Sequence, residues 1–365
     1  MDKEGKKKFK WWKIPVFLLV AAVVVVAGYF AYVFLTYSRI EDNQSLEVKG
    51  NSTEVAEAGT EYTIVSYNIG FGAYTPDYSF FMDGGTESRA ASKESVIRCT
   101  TGVADKALEF EPDFAVYQEV DTDSTRSWHV DQTELIDNRY DSVAAFDHVF
   151  ALNYHSAYLM YPVTKPHGAS NSGLLTESRF NVDSALRRSL PIATGFKKII
   201  DLDRCYSISR IPVSNGKELI LINTHLSAYA TDAAQGNAQL QMLFGDMKAE
   251  YDKGNYVICG GDFNHDFTLD SKEFFNPGSD EDYSWCQPFP DDVIPEGFSK
   301  CIEYNEGMVP SNRNTNIPYS EECFTSILDG FIISDNVECN YVQNIDTGFA
   351  YTDHNPVVMK FVLSE

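Results

Sequence analysis

Hydrophobic and polar positions fall into two regimes along this chain. Residues 14–37 contain no Asp, Glu, Lys or Arg and include the run Val23-Val24-Val25-Val26. About 20 apolar helical residues cross a hydrocarbon core of roughly 30 Å, so this stretch predicts a transmembrane helix, apolar on every side. A cleaved signal peptide is the competing reading, but the run is longer than an ordinary h-region and no small-x-small site follows it. Residues 38–60 follow as a linker, polar and without periodicity from 41 onward. From 61 to 365 the pattern becomes a series of short β-branched or apolar runs, at 62–67, 114–117, 173–176, 218–223, 256–259, 330–334 and 356–363. Each predicts a strand. Helices are predicted at 94–109 and 235–251, and strands interspersed with helices predict an α/β domain whose sheets carry helices on their outer faces. No repeat and no second linker interrupts it.

Charge changes the picture of the two ends. Lys3, Lys6, Lys7, Lys8, Lys10 and Lys13 precede the apolar run, with Trp11 and Trp12 at its border. By the positive-inside rule residues 1–13 are a cytoplasmic basic segment, and everything after the helix is expected outside the cytoplasm, on a single-pass membrane protein. Seven of the 29 basic and two of the 53 acidic residues lie up to Ile40, which leaves the remainder near −29. A surface of that sign disfavours non-specific binding to DNA or RNA, whose backbone is gripped by Lys and Arg. It does not exclude a phosphoester substrate, because a bound divalent metal reverses the local potential.

All seven cysteines lie beyond the apolar run, four of them (Cys286, Cys301, Cys323 and Cys339) late in the chain and without a CxxC pattern. One or two disulfides there and free buried thiols are both compatible with that spacing, while Cys259 sits in a strand-like run and reads as core.

Polar, metal-competent residues recur at the ends of the strands. Asn68 ends the first, Gln118-Glu119 the second, Thr224-His225 the fourth, and Asp262 and Asn264 the fifth; Asp329 opens the sixth and Asp353-His354 precede the last. Taken singly, each has an ordinary structural reading: Asn68 as a turn residue, Glu119 as a solvated carboxylate, Asp329 as a cap, His225 as a core histidine. In Gly261-Asp262-Phe263-Asn264 the period of two puts Asp262 and Asn264 on one face, delivering two oxygen-bearing side chains to one pocket. The segment Asn68-Ile69-Gly70-Phe71-Gly72 lacks a dinucleotide fingerprint and reads as a loop. His129, His148, His155, His167 and His265 fit no ligand spacing and read as structural or surface residues.

The ordered set Ser66-Tyr67-Asn68, Gln118-Glu119, Asn223-Thr224-His225-Leu226, Gly261-Asp262-Phe263-Asn264, Leu328-Asp329-Gly330-Phe331 and Thr352-Asp353-His354-Asn355-Pro356 resembles the motif series of the endonuclease/exonuclease/phosphatase superfamily. DNase I, AP endonucleases, neutral sphingomyelinases and inositol polyphosphate phosphatases belong to that group. The resemblance runs from about 61 to 363 and is specific for the superfamily, not for a branch. It implies a four-layer α/β/β/α sandwich of two mixed sheets, with the active site at one rim. It also implies Glu119 as principal ligand of Mg²⁺ (or Mn²⁺ or Ca²⁺), with Asn68 and Asp353 nearby. Asp262 and Asn264 would orient the attacking water and contact the phosphate. His225 and His354 would flank the phosphorus, with Asp329 fixing the tautomer of His354. Arg204 stands where relatives often place a phosphate-binding arginine, a surface salt bridge being the alternative. Where several relatives pair the first histidine with a glutamate, Asn171 stands here, close to the phosphate, so that an amide would hold His225.

Three functions follow from this reading. The first is a membrane-anchored phosphodiesterase or phosphatase, monomeric, acting on a small or lipid-linked phosphoester. The second is an exported nuclease, and the third a binding domain without catalysis. Acidity and the tether favour the first, and the complete motif set disfavours the third.

Overall fold

The structure, a computed structural model, describes residues 10–36, 38–192, 203–227, 233–279, 285–303 and 307–365. The chain divides into two units, Met1–Arg39 and Ile40–Glu365. In the first, α1 (Lys13–Thr36) is a single helix of 24 residues with no buried residue. At 1.5 Å per residue it is roughly 36 Å long, enough to cross a bilayer.

In the second unit, residues 41–60 are not the spacer that their composition suggested. They supply β1 (Gln44–Leu46) and β2 (Val48–Gly50), which add to the edges of two different sheets. Strands of three residues are too short to show a period, and these are held by backbone ladders to edge strands, so the domain begins at Ile40 and not at 61.

Among the described residues, two seven-stranded sheets form the body. One has the order β1, β7 (Ser184–Ser189), β8 (Cys205–Pro212), β9 (Glu218–His225), β10 (Tyr256–Asp262), β14 (Asp329–Ser334) and β11 (Phe298–Cys301). The other runs β15 (Val337–Asn344), β16 (Val357–Leu363), β3 (Glu61–Asn68), β4 (Phe114–Asp121), β6 (Gly168–Ser178), β5 (Asp147–Leu159) and β2. Both are mixed: β9 and β10 are parallel, as are β3 and β4, and the remaining pairs are antiparallel. A small ladder of β12 (Asn312–Arg313) and β13 (Thr325–Ser326) lies apart from them, contacted by the short α5 (Ser271–Phe275).

The alternation of side chains builds the layers. Leu219 and Leu221 of β9 point inward with Ile64, Val116 and Ile258, forming the core between the sheets. Their neighbours Ile220 and Ile222 point outward, beneath Leu240, Leu243, Phe244 and Met247 of α4 (Ala233–Tyr251). On the opposite outer face Val65 and Tyr67 pack under α2 (Lys93–Leu108) and α3 (Gln132–Asp141), through Val103, Ala104, Ile136 and Tyr140. Each fully buried side chain of this kind contributes about 1.5–3 kcal/mol. Ser92 caps α2 by accepting from Ser95 N, and Asp131 caps α3 by accepting from Thr133 N. The result is the α/β/β/α sandwich. All seven thiols are free, and Cys301 and Cys339 meet in the core between the sheets.

One polar bridge crosses that apolar core at the end where the parallel strands finish. Gln118 donates to Asn223 Oδ1 at 2.9 Å, and Asn223 donates in turn to the carbonyls of Tyr117 and Leu175. Buried polar groups need such partners, and this pair fixes the strand ends of one sheet against those of the other.

Candidate active site

Strand register brings the motif residues together. Asp262 at the end of β10 is the ladder partner of His225 on β9 and of Asp329 on β14. Asn68 stands beside Gln118 on the facing sheet. Glu119 lies where β4 slips register against β6 between Tyr117 and Val120, with φ +55°. Such a bulge re-aims a side chain, here out of the ladder and toward Asn68. Asn264 is likewise left-handed, at φ +49°. Non-glycine residues held there are strained by about 1–3 kcal/mol and persist where the surroundings over-determine them. Gly261, φ +148°, has the opposite reason to exist: a Cβ on it would lie 2.0 Å from Thr224 O, so β9 and β10 approach this closely only without one.

Two histidines flank one carboxylate oxygen. Asp262 Oδ2 is 3.6 Å from His225 Nε2 and 3.8 Å from His354 Nε2, and it accepts from Asn68 Nδ2 at 3.0 Å. Asp262 Oδ1 accepts from Asn264 N, while the Asn264 amide donates to Leu226 O. His354 is oriented from both ring nitrogens. Its Nδ1 is 2.8 Å from Asp329 Oδ2, and its Nε2 lies 3.0 Å from the side-chain amide of Asn312, which meets a protonated ring with its oxygen. Ser311 holds Asp329 by donating to Oδ2 at 2.7 Å while accepting from Asp329 N.

Electrostatics separates the two rings. Burial pulls the His354 pKa down, but Asp329, Asp353 and Asp262 outweigh it and raise it to about 10, so this ring is an imidazolium at neutral pH. Burial, with the positive fields of Arg204 and His354, holds His225 well below its usual value and therefore neutral. Burial and the neighbouring Asp329 raise the Asp262 carboxyl.

The acidic corner lies on the other side of Asn68, whose Nδ2 also reaches Glu119 Oε1 at 3.5 Å. Asn68 Oδ1 accepts from Gly70 N, so in this arrangement Asn68 bridges two carboxylates through its nitrogen. Burial, aided by the charge of Glu119, lifts the Asp353 carboxyl to about 6. Thr352 donates to Asp353 Oδ1 at 3.1 Å. A carboxylate lifted by burial and by a neighbouring carboxylate is short of compensating positive charge, and hard oxygen donors with one partly exposed member fit a divalent cation that keeps several waters. Asp262, Asp329 and His354 also bring potential ligand atoms within 4.8 Å of one another. Those atoms already face partners within the protein, which suits a proton relay better than a metal.

Arg204 Nη1 is buried with no hydrogen-bond partner among the described residues, and its guanidinium stands 6.0 Å from the Tyr154 ring. An orphaned buried cationic donor is what an anionic ligand would satisfy. Asn171 does not hold His225: its Nδ2 donates to Asp123 O at 2.8 Å, and His225 Nδ1 has no partner among the described residues.

Three contributors were not picked out by sequence pattern. Arg126 grips Asp121 through two bonds of 3.0 and 2.9 Å, lies 3.9 Å from the Phe71 ring centre and approaches Glu119 Oε2 at 4.0 Å. Ser311 and Asn312 lie before Cys323 in a stretch that carries none of the sequence motifs. The doublet of bond-forming residues beside β12 gives no periodic signal. The other histidines are structural or exposed: His167 Nδ1 donates to Ser88 O at 2.7 Å, His265 Nδ1 donates to Phe263 O, and His148 lies among Asp137, Asp141 and Glu177 beneath α3.

Known proteins place this geometry. Two solved structures of the endonuclease/exonuclease/phosphatase type are similar in fold. The protein from Bacteroides vulgatus has 14% identity and a TM-score of 0.54 over 84% of this chain and 100% of its own. The one from Beutenbergia cavernae has 15% identity and a TM-score of 0.52 over 83% and 72%. ANGEL2, a 2',3'-cyclic phosphatase, shares 12% identity with a TM-score of 0.54 over 90% and 100%. At such identities the likeness is one of fold. No curated protein matches the chain in sequence. The family model described as Endonuclease/Exonuclease/phosphatase family matches residues 65–354, from within β3 to His354. The chain belongs to the endonuclease/exonuclease/phosphatase family.

Proposed function

We propose that the chain is a membrane-anchored, divalent-metal-dependent phosphoester hydrolase, single-pass with its N-terminus in the cytoplasm, acting outside it on a small or lipid-linked phosphoester. The observation that carries the chemistry is Asp262 between a neutral and a charged imidazole, at 3.6 and 3.8 Å. A Mg²⁺-type ion held by Glu119 and Asp353, with Asn68 beside them, would neutralise charge on the phosphate oxygens. Asp262, whose raised pKa makes it a better base than an ordinary carboxylate, takes a proton from the attacking water. His354 as imidazolium, held by Asp329, stabilises the charge growing on the phosphoryl group. Neutral His225 and the unpartnered Arg204 nitrogen orient the same group, and Asn264 keeps Asp262 and the His225-Leu226 turn in register. Water oxygen bonds to phosphorus as the ester oxygen–phosphorus bond breaks; the leaving oxygen takes a proton from solvent, and the proton held on Asp262 returns to solvent when the products depart. The test is hydrolysis of bis-p-nitrophenyl phosphate, DNA, sphingomyelin and inositol phosphates by the full chain in nanodiscs, with Mg²⁺ or EDTA. The reading expects turnover of at least one with Mg²⁺, none with EDTA, and a ~10²- to 10⁴-fold loss in His354→Ala. Mg²⁺-independent turnover, or none on any substrate, overturns it.

A further inference from the structure

The hairpin of β5 and β6 is the longest pairing among the described residues, and its tip carries apolar side chains into solvent. Residues 158–163 read Tyr-Leu-Met-Tyr-Pro-Val without a charge. Val163 is 84% exposed, Tyr161 61% and Met160 52%; Met82, 61% exposed, lies in the adjoining turn, where the Phe81 ring stands 5.7 Å from that of Tyr161. Trp128, also exposed, belongs to the turn after Thr125, whose hydroxyl binds Ala169 N at the base of the hairpin. Contiguous exposed apolar surface of this kind marks a docking site.

Register says where the tip points. On β6, Ser172 pairs with Asp121 just past Glu119, and the hairpin continues to the Leu159 and Gly168 pair. Four further residues at about 3.3 Å each carry it some 13 Å beyond the catalytic strand ends. The N-terminal part of the domain arrives at the same end. Ile40 N donates to Asp203 beside Arg204, Ser189 donates to Ile40 O, and Ser189 pairs with Cys205 on β8. From there β1 runs away from the site, antiparallel to β7. Only four Cα steps separate Ile40 from Thr36, where α1 ends, a reach of at most about 14 Å.

We infer that the β5–β6 tip is a membrane-seating surface: its apolar side chains enter the headgroup boundary of the bilayer that holds α1, turning the active-site mouth toward lipid headgroups. This rests on the anchorage proposed above. A bilayer is the occupant because the short tether emerges at the end from which the tip projects, and because a tip free of basic residues in 158–163 on an acidic domain suits apolar insertion over attraction to anionic groups.

The full chain in phosphatidylcholine nanodiscs containing a diazirine-acyl phosphatidylcholine tests this by irradiation and peptide mapping. Lipid adducts are expected on α1 and on the peptide spanning 158–165. In Tyr161→Asp/Val163→Asp the tip adducts should fall at least tenfold, with α1 adducts unchanged and hydrolysis of soluble bis-p-nitrophenyl phosphate within twofold of wild type. Adducts on wild-type α1 with none on the tip overturn the inference and leave anchorage standing, as do tip adducts equal in wild type and variant. Absence of adducts on both removes anchorage and this inference together.

Discussion

Gly261→Ala offers the sharpest check on how the site is assembled. The Cβ introduced would lie 2.0 Å from Thr224 O, 2.9 Å from Thr224 C and 3.0 Å from Thr224 N, all of them backbone atoms of β9. No side chain can swing aside to relieve this. Ordinary contact begins at 3.4 Å, so β9 and β10 must part by about 1.4 Å at the rung next to the His225 and Asp262 pair. A misplacement of about 1 Å in a catalytic group costs on the order of 10²-fold in rate. The left-handed φ of +148° adds strain of about 1–3 kcal/mol, which at about 2–4 °C per kcal/mol for a large domain lowers Tm by roughly 2–12 °C. The assay is kcat for Mg²⁺-dependent diester hydrolysis, with thermal unfolding in parallel. Gly245→Ala is the matched control. Gly245 lies within α4 with nothing within 4 Å of its virtual Cβ, so this variant should keep full activity and gain about 0.5–1 kcal/mol of stability. A Gly261→Ala protein with wild-type kcat and Tm would refute the reasoning.

Three further outcomes follow from the same geometry. Glu119→Ala should abolish metal-dependent hydrolysis; in addition, Mg²⁺ at about 100 times its Kd should stabilise the wild type by about 2.7 kcal/mol and leave the variant's Tm unmoved. An equal Mg²⁺ shift in both would remove Glu119 from the metal site. Asp329→Asn takes the negative charge from His354 Nδ1 and should lower kcat ~10²- to 10⁴-fold at unchanged KM, with Ser311→Ala weaker in the same direction, measured by steady-state kinetics. Burial opposes charge on His148, but Glu177, Asp137 and Asp141 raise its pKa to about 9. The folded state thus holds this proton more tightly than the unfolded chain, whose value is about 6.5, so its stabilisation is full below pH ~6.5 and is lost as pH rises toward 9. Thermal unfolding across that window should show the decline in wild type and a much weaker one in His148→Ala/Glu177→Gln, which also removes the buried carboxyl that is itself raised to about 8; His148→Ala alone loses about 3–5 kcal/mol by leaving Glu177 unpaired.

Much of the catalytic half was legible because strand ends and chemistry coincide in sequence. Asn68, Glu119, His225, Asp262 and Asp353-His354 each close or adjoin an apolar run, and the sandwich brings those ends together. What was not legible depends on contacts made far along the chain. Ser311 and Asn312 act by touching Asp329 and His354, 18 and 42 residues away, and carry no local pattern. Arg126 is read correctly only when its burial against Asp121 is seen. Asn171 failed for a related reason: its position in the strand was right, but its amide turns back to Asp123 O. β5 went unseen because His, Asn and Ser interrupt its alternation where it leaves the sheet, and β1 and β2 because three-residue strands have no period.

Net charge near −29 beyond Ile40 and a site for an anionic group are compatible once distance is considered. Exposed carboxylates are screened over roughly 8 Å at physiological salt, so an approaching single phosphate feels chiefly the groups it will touch. Those are cationic where it must sit: the imidazolium of His354 and the unpartnered Arg204 nitrogen, with a metal ion at Glu119 in the proposed mechanism. A nucleic acid lies along many surface positions at once and meets the acidic exterior at most of them, without the lysines and arginines that would release its counterions. The same exterior repels an anionic membrane, so seating on lipid has to come from uncharged apolar insertion, which is the chemistry that 158–163 presents. In the function proposed above, acidity, a few buried cations and an apolar tip would therefore select jointly for one phosphoester offered at a bilayer surface, over a polyanion met in solution.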